Sequence, residues 1–510
     1  MSGLRSPEVT IDRSTGREKS LVRGAFSQRA RACPRLVSLL ASVTFTVVTL
    51  AGACGDNDHA VIRADPTKPN FVFILADDMR KGDLKYMPKT RSLLQGRGMS
   101  FQNAFVSNPL CCPSRATIMR GQYSHNTGVW SNVPTDGGWE GYHSRGNEED
   151  NIATRLHNAG YDTALLGKYL NHYEGTAVPR GWNDWFATST FKYYDYDVND
   201  NGTLRHFGAG ERDYQTDVLR SRARQFIDAS LTRGAPFFAY VAPIAPHEPA
   251  TPAARDRHVF DSEKRARSHS FDEADVSDKP PWVQRWPRLS TDQIAEIDQR
   301  HERRAESLQA LDDLVDGVMS ELRGAGAMKN TYVIFTSDNG WQEGEHRIPE
   351  EKAWAYEQST HMPLLIRGPG IRAGSTTDKL TLNTDFFPTF TDLAGIRKPN
   401  YVDGRSLRPI LEDNQPGAWR TAVLLERRNP HPDQLQSLYA GRSFYGVRTS
   451  AGMKYIEYTL GPRELYDLDS DPYELNNLYD PATPPRSLST RLEALKKCAG
   501  GACRVAENRP

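Results

Sequence analysis

The feature that most restricts the fold of this chain is a series of short apolar runs, each closed by a polar turn. They cover residues 71–76, 163–166, 237–241, 332–336 and 363–366. Within each run the apolar side chains stand at consecutive positions rather than at alternate ones. A strand that is apolar on both faces lies between two helical layers, which is typical of parallel sheets. The chain is therefore predicted to build a mostly parallel sheet.

Segments with helical periodicity separate these runs. The clearest is 302–323, where one face carries Leu308, Leu311, Leu314, Val315, Val318, Met319 and Leu322. Strands that alternate with amphipathic helices indicate an α/β sandwich. With 510 residues, the chain is long enough for one large domain and a smaller one. The charged segment 254–300, rich in Pro, Ser and Asp, is predicted to be an insertion over the surface.

Four of these runs are followed by polar residues of the types that bind metals, transfer protons or supply positive charge in active sites. In chain order they are Asp77, Asp78, Lys168, His247, Asp338 and Asn339. In open α/β sheets, ligands bind outside the carboxyl ends of the strands. The sequence therefore predicts a functional site at one edge of the sheet, supplied by four separate strands.

The acidic residues at this edge favour a metal ion. Asp77 and Asp78 are adjacent and would repel each other if both were ionised without a partner. Asp338 and Asn339 add further oxygen ligands, and an all-oxygen set favours Ca²⁺, with Mg²⁺ as the second choice. Taken alone, an Asp-Asp pair also fits a loop or a helix cap.

A second motif, Cys111-Cys112-Pro113-Ser114-Arg115, lies between the first two runs. Pro113 suits an early position in a helix, so a helix N-terminus is predicted here, facing an anion. Two buried thiols or a vicinal disulfide are the alternatives for Cys111 and Cys112.

Taken together, these motifs resemble the type I, formylglycine-dependent sulfatases. The match runs from about residue 70 to the C-terminus. Segments 110–116, 123–126, 167–171 and 192–194, with the C-terminal cysteine loop, are similar to the N-acetylglucosamine-6-sulfatase branch. The resemblance implies an alkaline-phosphatase-like sandwich with a large mixed, mostly parallel sheet, followed by a small C-terminal α+β subdomain with an antiparallel sheet.

The resemblance also implies the site. Cys111, oxidised to formylglycine by a maturation enzyme, would be both nucleophile and metal ligand, and the other metal ligands would be Asp77, Asp78, Asp338 and Asn339. Arg115 would hold the nucleophile. Lys168 and Lys352 would stabilise the sulfate oxygens, and His247 would protonate the leaving oxygen. The substrate would be a sulfated carbohydrate or an aryl sulfate.

Three further residues are weaker candidates for substrate contacts: His125, Asn171 and His346. For His125 a structural histidine is an equally good interpretation. Many sulfatases carry a histidine two positions after the lysine of the Gly-Lys element, where this chain has Leu170. The 6-sulfatase branch also has leucine there, yet the departure leaves the general acid less certain.

The ends of the chain predict export. Residues 1–54 combine a basic lead, an apolar run and small residues before Cys54, which indicates a signal peptide or a lipoprotein signal that lipidates Cys54. A membrane anchor is the alternative. The predicted organisation continues with a linker at 55–66, a catalytic domain at 67–410 and the C-terminal subdomain at 411–510. In an exported protein, the spacing of Cys498 and Cys503 predicts a disulfide.

Two other functions remain open. Phosphonate monoester hydrolases and phosphodiesterases of the same superfamily use a similar nucleophile motif, and a non-catalytic binding protein could retain the fold. A nucleic-acid binder is disfavoured, because 64 basic residues balance 64 acidic ones and no basic stripe is evident.

Overall fold

A ten-stranded sheet forms the centre of the protein. The computed structural model describes residues 68–188, 190–412, 418–428 and 443–509. The signal, lipidation and linker predictions for residues 1–66 lie outside these described residues, and the predicted domain limits stay predictions. The strands are β1 Asn70–Ala76, β2 Met99–Phe101, β3 Ala104–Phe105, β4 Asp162–Lys168, β5 Asp184–Thr188, β6 Tyr196–Asp200, β7 Thr203–Phe207, β8 Phe237–Ala242, β9 Thr331–Ser337, β10 Leu364–Arg367, β11 Ser375–Thr377, β12 Thr381–Leu382, β13 Ala422–Arg427, β14 Phe444–Thr449, β15 Met453–Tyr458 and β16 Arg463–Asp467.

The strand order of the large sheet is β11-β2-β10-β9-β1-β8-β4-β5-β6-β7. Its central strands β9, β1, β8, β4 and β5 are parallel neighbours, whereas β10, β6 and β7 pair antiparallel with their neighbours. The sheet is therefore mixed and mostly parallel, as predicted. Four of its five central strands are those whose carboxyl ends carry the candidate site residues.

Helices cover both faces of this sheet. The helices of the described residues are α1 Pro88–Thr90, α2 Cys111–Arg120, α3 Ser124–Thr127, α4 Gly138–His143, α5 Ile152–Asn158, α6 Gln215–Arg233, α7 Pro281–Gln284, α8 Thr291–Gly324, α9 Glu357–Thr360, α10 Phe386–Leu393, α11 Arg408–Leu411, α12 Arg486–Leu495 and α13 Gly501–Glu507. Successive residues of β1 point to opposite faces: Phe73 packs with α5 and α10, and Ile74 packs with α6 and α8. This double burial explains why the strand is apolar at every position.

The longest helix, α8, begins earlier than its apolar pattern predicts. It starts at Thr291 rather than near residue 302, so the end of the predicted surface insertion is helical. The Ser290 side chain accepts a hydrogen bond from the Gln293 N–H, and the Gln293 side chain accepts one from the Ser290 N–H. This capping box was visible in the sequence as Ser-x-x-Gln.

A second, four-stranded antiparallel sheet has the order β13-β14-β15-β16 and packs with α12 and α13. This is the predicted C-terminal antiparallel sheet. Cys498, in the connection after α12, and Cys503 of α13 form a disulfide, which confirms the predicted pairing. Among the described residues, no helix is both long and apolar enough to span a bilayer.

Candidate active site

The carboxyl ends of the neighbouring strands β9, β1, β8 and β4 bring the predicted residues together. Asp77 and Asp78 directly follow β1, and Asp338 and Asn339 directly follow β9. Lys168 is the last residue of β4. The Asp78 N–H donates to the Asp338 carboxylate over 3.1 Å, which joins two of the strand ends.

Each of the three buried carboxylates is paired with a different cation. The Lys168 Nζ lies 2.5 Å from Asp77 Oδ2, and Arg115 Nε lies 2.8 Å from Asp338 Oδ2. The Lys352 Nζ donates to both Asp78 oxygens over 2.8 and 2.6 Å. Burial alone would raise the pKa of Asp77, but Lys168, His247 and Arg115 hold it at about 2. The formal charges of these six side chains cancel, so one added divalent cation would leave the site positive toward an anionic substrate.

The donor set at the strand ends fits a hard divalent cation. One carboxylate oxygen from each of Asp77, Asp78 and Asp338 lies within 4.8 Å of the other two. Asn339 Oδ1 is buried and accepts no hydrogen bond from the described residues, while its amide nitrogen donates to Asp78 over 2.6 Å. Burial and the neighbouring Asp77 raise the pKa of Asp338. A bound cation would offset the repulsion among the crowded carboxylates and would give the unpaired amide oxygen of Asn339 a partner.

Cys111 is the first residue of α2, next to this carboxylate cluster. Leu110, which precedes it, is extended, and Gly121 ends the helix in the left-handed conformation at φ 64°. The Cys111 Sγ lies 3.7 Å from Asp77 Oδ1 and 3.9 Å from Asp78 Oδ1. Burial raises the pKa of this thiol to about 12, so the unmodified cysteine is not a thiolate nucleophile at neutral pH.

Arg115 lies one helical turn after Cys111 and is fully buried. Besides Asp338, its guanidinium donates to the Lys168 carbonyl over 2.9 Å and approaches Asp77 Oδ2 to 3.7 Å. Burial opposes its charge, but Asp338 and Asp77 raise the pKa of Arg115 above its ordinary value. Arg115 therefore connects α2 to the ends of β1, β4 and β9.

His247 stands above the carboxylates, with Nε2 3.6 Å from Asp78 Oδ2. Its Nδ1 lies 2.6 Å from the Glu248 carbonyl, which makes Nδ1 the donor and directs Nε2 toward the site. Burial and the nearby Lys352 lower the pKa of His247. The ring of Phe191 stacks on His247 at 5.2 Å and lies 4.5 Å from the Lys168 Nζ.

Comparison with known proteins identifies the family to which this arrangement belongs. The family described as Sulfatase matches residues 69–396, and the family described as N-sulphoglucosamine sulphohydrolase, C-terminal, matches residues 344–497. The chain belongs to the sulfatase family. It is therefore an enzyme of sulfate-ester hydrolysis.

Several curated sulfatases are similar in sequence. The human N-acetylglucosamine-6-sulfatase is 32% identical over 87% of each chain, and an arylsulfatase of Volvox carteri is 32% identical over 92% of this chain and 79% of its own. A putative extracellular sulfatase Sulf-1 homolog of Caenorhabditis elegans is 36% identical over 70% of this sulfatase, which spans only 52% of that relative's length.

Solved structures show the same fold. A protein bound to its substrate D-glucosamine-2-N,6-O-disulfate superposes with a TM-score of 0.69 and 26% identity, over 84% of this sulfatase and 98% of that chain. A phosphonate monoester hydrolase of Silicibacter pomeroyi superposes with a TM-score of 0.65 at 23% identity, over 83% of this sulfatase and 93% of that chain. At that identity the second likeness concerns the fold alone.

The structure brings nine of the predicted residues together at one site. Asp77, Asp78, Cys111, Arg115, Lys168, His247, Asp338, Asn339 and Lys352 are joined by the contacts described above. Asn171 lies three residues after β4 and is almost fully buried, and its Oδ1 accepts no hydrogen bond from the described residues. A substrate contact by Asn171 stays a prediction.

The contacts of His125 and His346 favour structural roles instead of the predicted substrate contacts. His125 uses both ring nitrogens, Nδ1 2.8 Å from Glu426 and Nε2 2.9 Å from the Cys498 carbonyl. His346 is fully buried, with Nδ1 2.6 Å from Glu273. Their type and motif context gave no indication of these distant partners, and a substrate contact by either residue stays a prediction.

Two residues near the site were not predicted from the sequence. Arg304 of α8 is buried and donates to the backbone carbonyls of Asp78 (2.7 Å) and Pro246 (3.2 Å). Phe191 covers His247 and Lys168. Arg304 sits in a helix rich in charged residues, and Phe191 precedes the tyrosine pair 193–194 without a motif of its own, so no signal in the sequence separated them from ordinary surface or core residues.

Proposed function

We propose that the protein is an exported, metal-dependent sulfatase that uses a formylglycine derived from Cys111 to hydrolyse a sulfate ester on a sugar such as N-acetylglucosamine-6-sulfate. The observation that carries this proposal is the position of Cys111. Its sulfur is at the N-terminus of α2, beside two carboxylates and within a set of paired lysines and an arginine.

A Ca²⁺ ion, with Mg²⁺ as the alternative, would be held by Asp77, Asp78, Asp338, Asn339 and the modified residue 111. Bound there, the ion would neutralise a sulfate oxygen and favour deprotonation of the attacking group. Once formed by a maturation enzyme, the formylglycine would supply a hydrated aldehyde as the oxygen nucleophile.

The surrounding side chains supply charge and proton transfer. Arg115 keeps the Asp77 and Asp338 carboxylates oriented toward the nucleophile. Lys168 and Lys352 present ammonium groups to the oxygens of the sulfate, where negative charge grows in the transition state. His247 has its Nε2 directed into the site, and in its doubly protonated form it is our choice to supply the proton that the leaving alkoxide needs.

The substrate class rests on the relatives. The human N-acetylglucosamine-6-sulfatase and the structure bound to a glucosamine disulfate both act on sulfated glucosamine according to their names. We therefore propose a sulfated amino sugar as substrate, with aryl sulfates as simpler substitutes. Export agrees with the name of the extracellular sulfatase relative and with the signal predicted in residues 1–54.

The decisive experiment is mass analysis of the tryptic peptide that contains Cys111, from protein made in its native host. We expect the mass loss of a thiol-to-aldehyde conversion and capture of that peptide by a hydrazine reagent. Cys112→Ser is the matched control, because Cys112 is equally buried one residue away, while Cys111→Ser should lose both the aldehyde and sulfate release. An unmodified, folded wild-type protein that still cleaves sulfate esters would refute the formylglycine mechanism.

A parallel assay tests the reaction class. Sulfate release from N-acetylglucosamine-6-sulfate and from p-nitrophenyl sulfate should exceed hydrolysis of a phosphonate monoester or a phosphate diester. The reverse order would favour a phosphonate monoester hydrolase. Stoichiometric binding of the sulfated sugar without any turnover would favour a non-catalytic binding protein.

A further inference from the structure

A second cluster of acidic side chains lies on α8, apart from the active-site carboxylates. Glu302 and Glu306 are one turn apart on this helix, and Asp261 reaches them from the preceding loop. One carboxylate oxygen of each lies within 4.8 Å of the other two. Three like charges at this spacing destabilise one another unless a proton or a cation joins them.

Glu306 is the unusual member of this group. Its side chain is only 4% exposed, and its Oε1 accepts no hydrogen bond from any described residue. The backbone N–H groups of His258 and Phe260 face the carboxylate, whereas burial and the neighbouring Glu302 raise its pKa. A buried carboxylate oxygen without a partner, on a side chain grouped with two other carboxylates, is unfavourable as it stands.

Neighbouring cations do not compensate this charge. His258 contacts Asp261, with Nδ1 2.9 Å from Oδ1. Lys85 is paired with Glu263 at 3.1 Å instead. Within the described part of the chain, no ion pair reaches Glu302 or Glu306, so His258 is the one cation source facing the three carboxylates.

We propose that Asp261, Glu302 and Glu306 form a second binding site for a divalent cation, Ca²⁺, distinct from the active-site metal. Three carboxylates with water completing the shell match the oxygen ligands and the flexible coordination that Ca²⁺ accepts. The loop that carries Asp261 lies against α8, because the Ser262 N–H donates to Glu302 over 3.3 Å. His258 and Ser262 in this loop have positive φ angles of 67° and 71°.

The cation would fasten the loop after His247 to α8. The same loop packs through Phe260, whose ring contacts Tyr86 edge-on at 5.1 Å. Glu302 and Glu306 flank Arg304, which donates to the backbone at Asp78 and Pro246. The second ion is therefore structural in effect, and its loss should lower stability more than it lowers turnover.

The test measures Ca²⁺ bound by the full chain, using equilibrium dialysis with elemental analysis and the thermal midpoint in Ca²⁺ against EGTA. The variants are Asp338→Asn, which removes an active-site ligand, Glu302→Gln/Glu306→Gln, and the control Glu296→Gln, an exposed position on α8. We expect wild type and Glu296→Gln to bind the same number of Ca²⁺ ions per chain. Asp338→Asn and the double variant Glu302→Gln/Glu306→Gln should each bind one ion fewer. Asp338→Asn should still be stabilised by Ca²⁺, and adding the double substitution should abolish that stabilisation.

Equal Ca²⁺ binding by wild type and the double variant would overturn the proposal and leave a protonated Glu306 as the explanation. If Asp338→Asn binds no Ca²⁺ at all, the second site is likewise refuted, whereas the sulfatase assignment stands. Asp261→Asn covers the case in which the double variant does not fold, because Asp261 is exposed. It should weaken Ca²⁺ binding about tenfold at the second site, and unchanged binding would count against the proposal.

Discussion

Two neighbouring cysteines at the start of α2 have different surroundings. The Cys111 sulfur faces Asp77 and Asp78, whereas Cys112 packs in the apolar core and its N–H donates to the Asn132 side chain over 2.9 Å. Burial raises the pKa of both thiols to about 12. Position, rather than thiol acidity, therefore separates the two, and only residue 111 can share a metal with the carboxylates.

At the same scale, Lys352 offers a direct test of charge stabilisation. Lys352→Met should lower kcat/KM for p-nitrophenyl sulfate about 100-fold, because a positioned cation that contacts the transition state contributes on this order. The matched control is Lys454→Met, another buried lysine, paired with Glu474 at 2.7 Å in the C-terminal sheet. It should lose stability yet keep kcat/KM per folded molecule. Equal losses in both variants would contradict the role given to Lys352.

Among the elements, α8 connects the strand ends to each other. Arg304 donates to carbonyls after β1 and after β8, and it also pairs with Asp83 and Glu343, both at 3.3 Å. A buried arginine with this many fixed partners holds the loop of the proposed metal ligands Asp77 and Asp78 against the loop of His247. It does not contact the proposed substrate, so its role would be positioning.

Arg304→Met should lower the free energy of unfolding by about 3 kcal/mol, since it leaves buried carboxylates unpaired. We also expect a lower kcat and weaker activation by Ca²⁺ in the protein that remains folded. Arg303→Met, one residue away and partly exposed, should change neither. Unaltered kcat and Ca²⁺ activation in Arg304→Met would reduce this residue to a purely structural one.

The end of α2 allows two contributions of a glycine to be separated. Gly121 has φ 64°, and an added Cβ would lie 3.0 Å from Phe387 Cβ and 3.1 Å from a Val402 methyl group. Gly234, which ends α6, has φ 70° and open space around it. Gly234→Ala should cost about 1 kcal/mol of unfolding free energy for the left-handed backbone alone.

Gly121→Ala should cost more than Gly234→Ala, because the neighbouring core must also move. Urea unfolding of both variants measures the difference. Equal costs would mean that Phe387 and Val402 adjust without strain. Since α2 carries Cys111, a loss of sulfate release by Gly121→Ala alone would show that the end of the helix also positions its start.

At the scale of the whole molecule, His125 of α3 links the helices on the large sheet to the C-terminal sheet. It follows α2 in sequence, yet its ring binds Glu426 on β13 and the Cys498 carbonyl beside the disulfide. Burial opposes protonation, but Glu426 raises the pKa of His125 from 6.5 to about 9. Because the folded state binds this proton more tightly, the resulting stability is complete below pH 6.5 and is lost as pH rises through about 9.

The shift corresponds to a contribution on the order of 3 kcal/mol. His125→Gln should therefore be less stable than wild type at pH 6, and the difference should shrink by pH 9.5. Chemical denaturation across this range measures it, with His206→Gln, an exposed histidine, as the control. A difference that does not depend on pH would show that the ring is neutral in the folded protein.

Much of the fold was predictable because its signals are local. Five apolar runs predicted five strands of the large sheet, and the metal-ligand candidates are among the polar residues that follow these runs. The short strands β2, β11 and β12 could not be predicted in this way, because two or three residues carry no periodicity. Helix α8 was found, but its start was missed where the capping box outweighed the apolar pattern.

The sequence by itself determined the strand ends, the nucleophile motif and the cysteine pairing, because each depends on residues close together along the chain. Only the tertiary structure decided which side chains surround the site. It brought Arg304 against Asp78, brought Phe191 against His247 and Lys168, and gave His125 and His346 partners far away in sequence. Such contacts depend on how α8, β13 and the loops pack, and a side chain's type does not reveal which partner it will meet.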